Sequence, residues 1–93
     1  MKTITIYATM GLLAHEKQPV YTTSPASELS DKVTIEWPED LPLAHNAAGE
    51  LLVSIGSSTY RLDDLLVTGK DDAPCLRWYD GQTTRFRALR VVG

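Results

Sequence analysis

The sequence predicts a mostly β fold, a small antiparallel sandwich or partly open barrel of roughly six or seven short strands built from hairpins. Three observations predict it. Apolar and polar residues alternate in separate runs such as Thr3-Ile4-Thr5-Ile6 and Val33-Thr34-Ile35-Glu36-Trp37, the period of a strand with one buried face. Turn signals recur roughly every 8–15 residues, too close for long helices. Asp80-Gly81 separates two runs rich in aromatic and β-branched residues, the strongest short-range hairpin signal, because glycine takes the positive φ of a type I′ turn without strain.

Taken in order, the run at residues 3–8 puts Ile4, Ile6 and Ala8 on one face and Thr3, Thr5 and Tyr7 on the other. Residues 9–17 read equally as a short helix or as a turn extending the strand, with Gly11 early and Pro19 as a stop. Val20 to Thr23 reads as an edge strand. Ser24-Pro25 sets proline where a helical turn begins, although Glu28 falls one place past the capping-box position. A helix at 9–17 or at 24–30 would make the fold α+β, the alternative. Val33, Ile35 and Trp37 point inward, and Pro38 ends their strand because it has no N–H for a ladder. Residues 39–49 read as a loop, with room for one turn of helix before Gly49. Residues 50–55 and 59–62 form a hairpin around Gly56-Ser57-Ser58, Asp63-Asp64 break the run, Leu65 to Val67 resume it, and residues 68–74 read as a polar loop. The expected core is Ile4, Ile6, Val33, Ile35, Trp37, Leu51, Val53, Ile55, Leu62, Leu65 and Leu89.

The terminal hairpin carries an internal conflict. A two-residue Asp80-Gly81 turn pairs Tyr79 with Gln82, Trp78 with Thr83, Arg77 with Thr84, Leu76 with Arg85 and Cys75 with Phe86. Neither face is then purely apolar near the turn. A bulge or a solvated, protruding tip resolves this, and the protruding tip is the expectation.

The 93 residues fit one small globular domain, residues 1–93, which buries about 60–65% of its unfolded surface. A composition of 43% hydrophobic and 23% charged residues is that of a folded chain. The lone cysteine, Cys75, excludes an intrachain disulfide and fits a reducing, cytoplasmic setting. No apolar run approaches the ~20 residues of a membrane span, and the alternating N-terminus has no signal-peptide core. Charge is uneven. Residues 1–50 hold three lysines against seven carboxylates, whereas every arginine lies in residues 51–93.

No specific catalytic constellation is present in the sequence. His15, His45 and Cys75 stand at no metal-ligand spacing, and nucleophile-elbow, P-loop and dinucleotide signatures do not occur. The pairs Asp63-Asp64 and Asp71-Asp72 suit turns and solubility better than acid–base work, since neighbours on a strand point to opposite faces. No catalytic, metal or cofactor-binding residue is therefore assigned.

The remaining feature is the arginine hairpin, in which Arg77, Trp78, Tyr79, Arg85, Phe86, Arg87 and Arg90 combine cations with aromatic surfaces. The expectation is a non-enzymatic binding module that contacts a protein partner, one with an acidic surface, through these residues. A regulator or inhibitor of the phage or mobile-element type is common at this size. A nucleic-acid-binding accessory protein is the second reading, although a pI of ≈ 5.2 speaks against it. A structural subunit assembling through edge strands, as a homodimer for example, is the third.

Overall fold

The computed structural model describes residues 2–10, 18–25 and 28–92. Of these residues, strand accounts for 56% and helix for 9%, so the mostly β reading holds. The strands are β1 (Thr3–Met10), β2 (Pro19–Thr22), β3 (Asp31–Glu36), β4 (Leu43–His45), β5 (Leu51–Ile55), β6 (Ser58–Arg61), β7 (Leu66–Thr68), β8 (Pro74–Tyr79), β9 (Thr84–Ala88) and β10 (Arg90–Val91). A single helical turn, α1 (Leu62–Leu65), and a 3₁₀ turn (Lys70–Asp72) flank β7. No helix among the described residues is long and apolar enough to cross a membrane.

Among the described residues ten strands stand where six or seven were expected. One addition is β4, inside the segment read as a loop. Its Leu43 pairs with Val53 and its His45 with Leu51. A three-residue strand gives no periodic signal, and β5 alone brings it into register. Helix at 9–17 finds no support at Thr9 and Met10, which belong to β1, and residues 11–17 lie outside the described residues. The expected turn after Ser24-Pro25 runs into residues 26–27, which also lie outside them.

Three antiparallel sheets result, ordered β10-β3-β1-β2, β4-β5-β6 and β7-β8-β9. Two of them curl into one half-barrel because the last strand belongs to both. The Leu89 N–H donates to the Pro74 carbonyl (3.1 Å), continuing the β8–β9 ladder. Three residues later the Val92 N–H donates to Thr34 (2.9 Å), on β3. At the opposite seam side chains join β2 to β7. Thr68 Oγ1 donates to the Pro19 carbonyl, and the Tyr21 hydroxyl donates to the Asp72 carbonyl at 2.6 Å. Burial, reinforced by the Asp72 charge, raises the Tyr21 pKa. Asp63, at the start of α1, accepts from the Thr23 N–H (2.8 Å) and hydroxyl (2.7 Å) and fastens the end of β2.

The core fills the half-barrel beneath β5 and α1. Ile6, Ile35, Trp37, Val53, Leu62, Leu65 and Leu89 are buried, and Ile4, Val33, Leu51 and Ile55 pack against them. All eleven expected core residues are therefore in or against the core. Leu41, Leu66 and Leu76 join it as well. They were missed because they occupy a turn, a strand start and a strand of mixed polarity, where no alternation marks an inward face. The Trp37 indole N–H donates to the Leu41 carbonyl (2.6 Å), so this large polar-tipped side chain is buried without loss of a partner.

Two predictions follow from this packing. Ile35 and Val53 are fully buried, on different sheets but in one core. Truncating Ile35 to Ala is expected to cost about 2–5 kcal/mol, and Val53 to Ala somewhat less. Both losses are read as a lowered urea midpoint. Leu76→Ala, also at full burial, is expected to behave like Ile35→Ala. An unchanged midpoint would remove Leu76 from the core.

Candidate functional site: the C-terminal hairpin

The hairpin forms as expected, but in a different register. Tyr79 pairs with Thr84, Trp78 with Arg85, Arg77 with Phe86, Leu76 with Arg87 and Cys75 with Ala88. The turn is centred on Gly81-Gln82, one residue beyond the predicted Asp80-Gly81, so every partner on β9 moves by two. The cause is the Asp80 side chain. Its Oδ1 accepts from the backbone N–H of Gln82 and of Thr83, both at 2.8 Å, while its own N–H donates to the Thr83 carbonyl at 3.1 Å. Aspartate mimics a turn backbone in this way when it stands at the first corner. Gly81 follows with φ of 98°, the left-handed conformation that was predicted for it.

Arg85 Nε donates to Asp80 Oδ2 at 2.6 Å and ties β9 to the turn. The two backbone N–H donors and Arg85 together hold the Asp80 carboxyl down at about 2. Residues 79–86 are all exposed, so the tip protrudes as expected.

A two-residue shift preserves which side chains share a face. Arg77, Tyr79 and Phe86 lie together on the outward face, with Arg77 directly opposite Phe86. Tyr79 is 61% exposed and Phe86 64%. On the other face Leu76 is fully buried and Trp78 is half-buried against the core. The structure thus divides the seven candidate residues. Arg77, Tyr79 and Phe86 form a surface, and Trp78 is turned inward and serves packing.

Arg85, Arg87 and Arg90 are engaged by carboxylates of this chain. Arg87 reaches Asp40 with both terminal nitrogens, at 3.0 and 2.9 Å. This bidentate contact lowers the Asp40 pKa and raises that of Arg87. Arg90 approaches Glu36 only to 4.0 Å and is 83% exposed at its side chain. Arg77 has no ion pair among the described residues. Elsewhere, Arg61 joins Glu50 (2.9 Å) and Asp64 (3.1 Å). Nothing in the sequence singled out Asp40, which a turn brings within reach of Arg87.

The Cys75 thiol is buried, with its Sγ 3.4 Å from the Leu76 carbonyl. His45 is exposed on β4, and His15 lies outside the described residues. Asp71 and Asp72 carry left-handed φ of 59° and 60°, a conformation aspartate tolerates better than most residues, which accords with their reading as turn formers.

No family model, no curated protein and no solved structure matches this chain.

The turn generates two expectations. A Cβ at Gly81 would meet nothing within 4 Å, so Gly81→Val is penalised by backbone conformation alone, by roughly 1–2 kcal/mol. Loss of cross-strand contacts between residues 79 and 84 by nuclear magnetic resonance would report it. The second expectation concerns pH. A carboxyl whose folded pKa is depressed lends stability in full above its unfolded value near 3.8 and loses it as pH falls through about 2. The Gln82 and Thr83 amide resonances are therefore expected to titrate together across that window, and Asp80→Asn to abolish the transition.

Proposed function

We propose that this protein is a non-enzymatic protein-binding module whose contact surface is the outward face of the C-terminal hairpin. The observation that carries this reading is the exposure of Tyr79 and Phe86 side by side with Arg77 on one face of a projecting hairpin. Tyrosine and arginine are among the residues that most often supply interface energy. The tip's own turn hydrogen bonds hold it in shape, so little ordering cost attends association. A role as a regulator or inhibitor fits a small domain with one projecting contact element. Nucleic acid is the weaker reading, because Arg85, Arg87 and Arg90 already face Asp80, Asp40 and Glu36.

The test places a photo-crosslinking residue at Gln82, on the tip, and at exposed Ala47, on the β4–β5 turn at the other end of β5, as a control. A discrete protein adduct is expected from position 82 in cells. Tyr79→Ala and Phe86→Ala are each expected to weaken partner binding by about 2 kcal/mol while shifting the thermal midpoint by no more than a few degrees, since both rings are exposed. An adduct that survives both substitutions would move the functional surface elsewhere on the molecule.

A further inference from the structure

The hairpin surface adjoins a second feature, an unpaired strand edge. β9 is the last strand of its sheet. Backbone groups along an antiparallel strand point alternately to its two neighbours. Thr83 and Leu89 bond to the β8 side, so Arg85 and Arg87 do too. The N–H and C=O groups of Thr84, Phe86 and Ala88 point the other way. Further along the same edge, Arg90 and Val92 meet β3. Between Thr84 and Ala88 the edge meets no strand among the described residues.

Pro38 is the reason. Extending the β3–β10 register, in which Glu36 faces Arg90, would bring residue 38 opposite Ala88. Proline offers no N–H there. The chain instead turns away, with the Leu41 N–H on the Pro38 carbonyl at 3.2 Å, Leu41 buried, and the Trp37 indole on the Leu41 carbonyl. The turn is anchored in the core and cannot swing back to cover β9. It leaves an open groove of about 340 Å³ beside Ala88, walled by Trp37, Pro38, Glu39 and Arg87.

We propose that this edge is a strand-addition site for an extended acidic segment of a protein partner, pairing antiparallel with Thr84–Ala88. The proposal rests on the reading of the hairpin as a protein-binding surface and names its mode and its partner's chemistry. A strand added there sets one residue opposite Phe86 and its two neighbours opposite Arg85 and Arg87. The matching pattern is an apolar residue between two carboxylates. The demand is stronger at Arg85, which engages Asp80 through Nε and leaves both terminal nitrogens without a partner among the described residues. Beyond Ala88 the edge is already occupied, since Arg90 and Val92 pair with β3, so the paired segment is short, about five residues.

The same charges disfavour a second copy of this chain. Two identical edges meet about a two-fold axis and therefore run antiparallel. With the axis at Phe86, Arg85 stands opposite Arg87; with it at residue 85 or 87, that arginine faces its own copy. Like charges directly opposite one another destabilise a strand pair.

The test uses three six-residue fluorescent peptides: alternating Glu and Val, alternating Lys and Val, and the Glu–Val peptide with alternate backbone nitrogens methylated. The Glu–Val peptide is expected to bind at least tenfold tighter than the Lys–Val peptide and to shift the amide resonances of Thr84, Phe86 and Ala88. Methylation is expected to abolish binding, because it removes pairing without changing charge. Arg85→Glu is expected to reverse the preference between the two unmethylated peptides. Thr84→Pro, which removes an outward N–H and spares the β8 ladder, is expected to cost at least tenfold. Equal binding of the methylated peptide, an unchanged preference in Arg85→Glu, or displacement of the peptide by a single-stranded oligonucleotide that shifts the same amides would overturn the proposal. If no peptide shifts those amides at millimolar concentration while the position-82 adduct still depends on Tyr79 and Phe86, strand addition is wrong and the protein-binding reading stands. If the adduct is lost as well, both fall.

Discussion

Leu89 is where the last strand changes partners, still bonded through its backbone to Pro74 while the residues just after it pair with β3. Its side chain is buried in the same place. Three sheets of three or four strands could not each bury a core of their own in a chain of 93 residues. Joining two of them through one continuous strand allows Ile6, Ile35, Leu66 and Leu76 to share one interior. β5 and α1 then close it with Val53, Leu62 and Leu65. The seam between β2 and β7 completes the wall with side-chain hydrogen bonds in place of a ladder.

That corner also determines what is exposed. Past the point where β3 stops at Pro38, the strand continues alone on its outer side toward the tip. The hairpin therefore projects beyond the core, with β8 supporting one edge and nothing covering the other among the described residues. Trp37 and Leu41 use the same turn to build the core and to withdraw the chain from β9. Stability and exposure of the candidate surface thus come from one local arrangement.

The charge pattern gains a meaning it lacked as a linear feature. Arginines concentrated near the C-terminus do not make a uniform basic patch. Asp80, Asp40 and Glu36 engage three of them, to different degrees. Exposed pairs of this kind add little stability, but they fix where each guanidinium lies along the edge. Among the described residues, free donor capacity remains at Arg77, on the same face as the two exposed aromatic rings, and at the end of Arg85, on the opposite face.

The sequence by itself determined the mostly β fold, the inward faces of β1, β3 and β5, the stop at Pro38 and the left-handed glycine at position 81. These rest on local chemistry: period-two alternation, a missing N–H and a missing Cβ. It also singled out the hairpin as the candidate surface. Tertiary structure alone decided the hairpin register, because the Asp80 carboxylate competes for the turn's N–H groups and moves the turn by one residue. It decided the inward packing of Trp78, the burial of Leu41, Leu66 and Leu76, and the pairing of Arg87 with Asp40. Each of these depends on residues far apart in the chain. The open edge of β9 belongs with them, since it exists only where the end of one strand and the middle of another come to lie side by side.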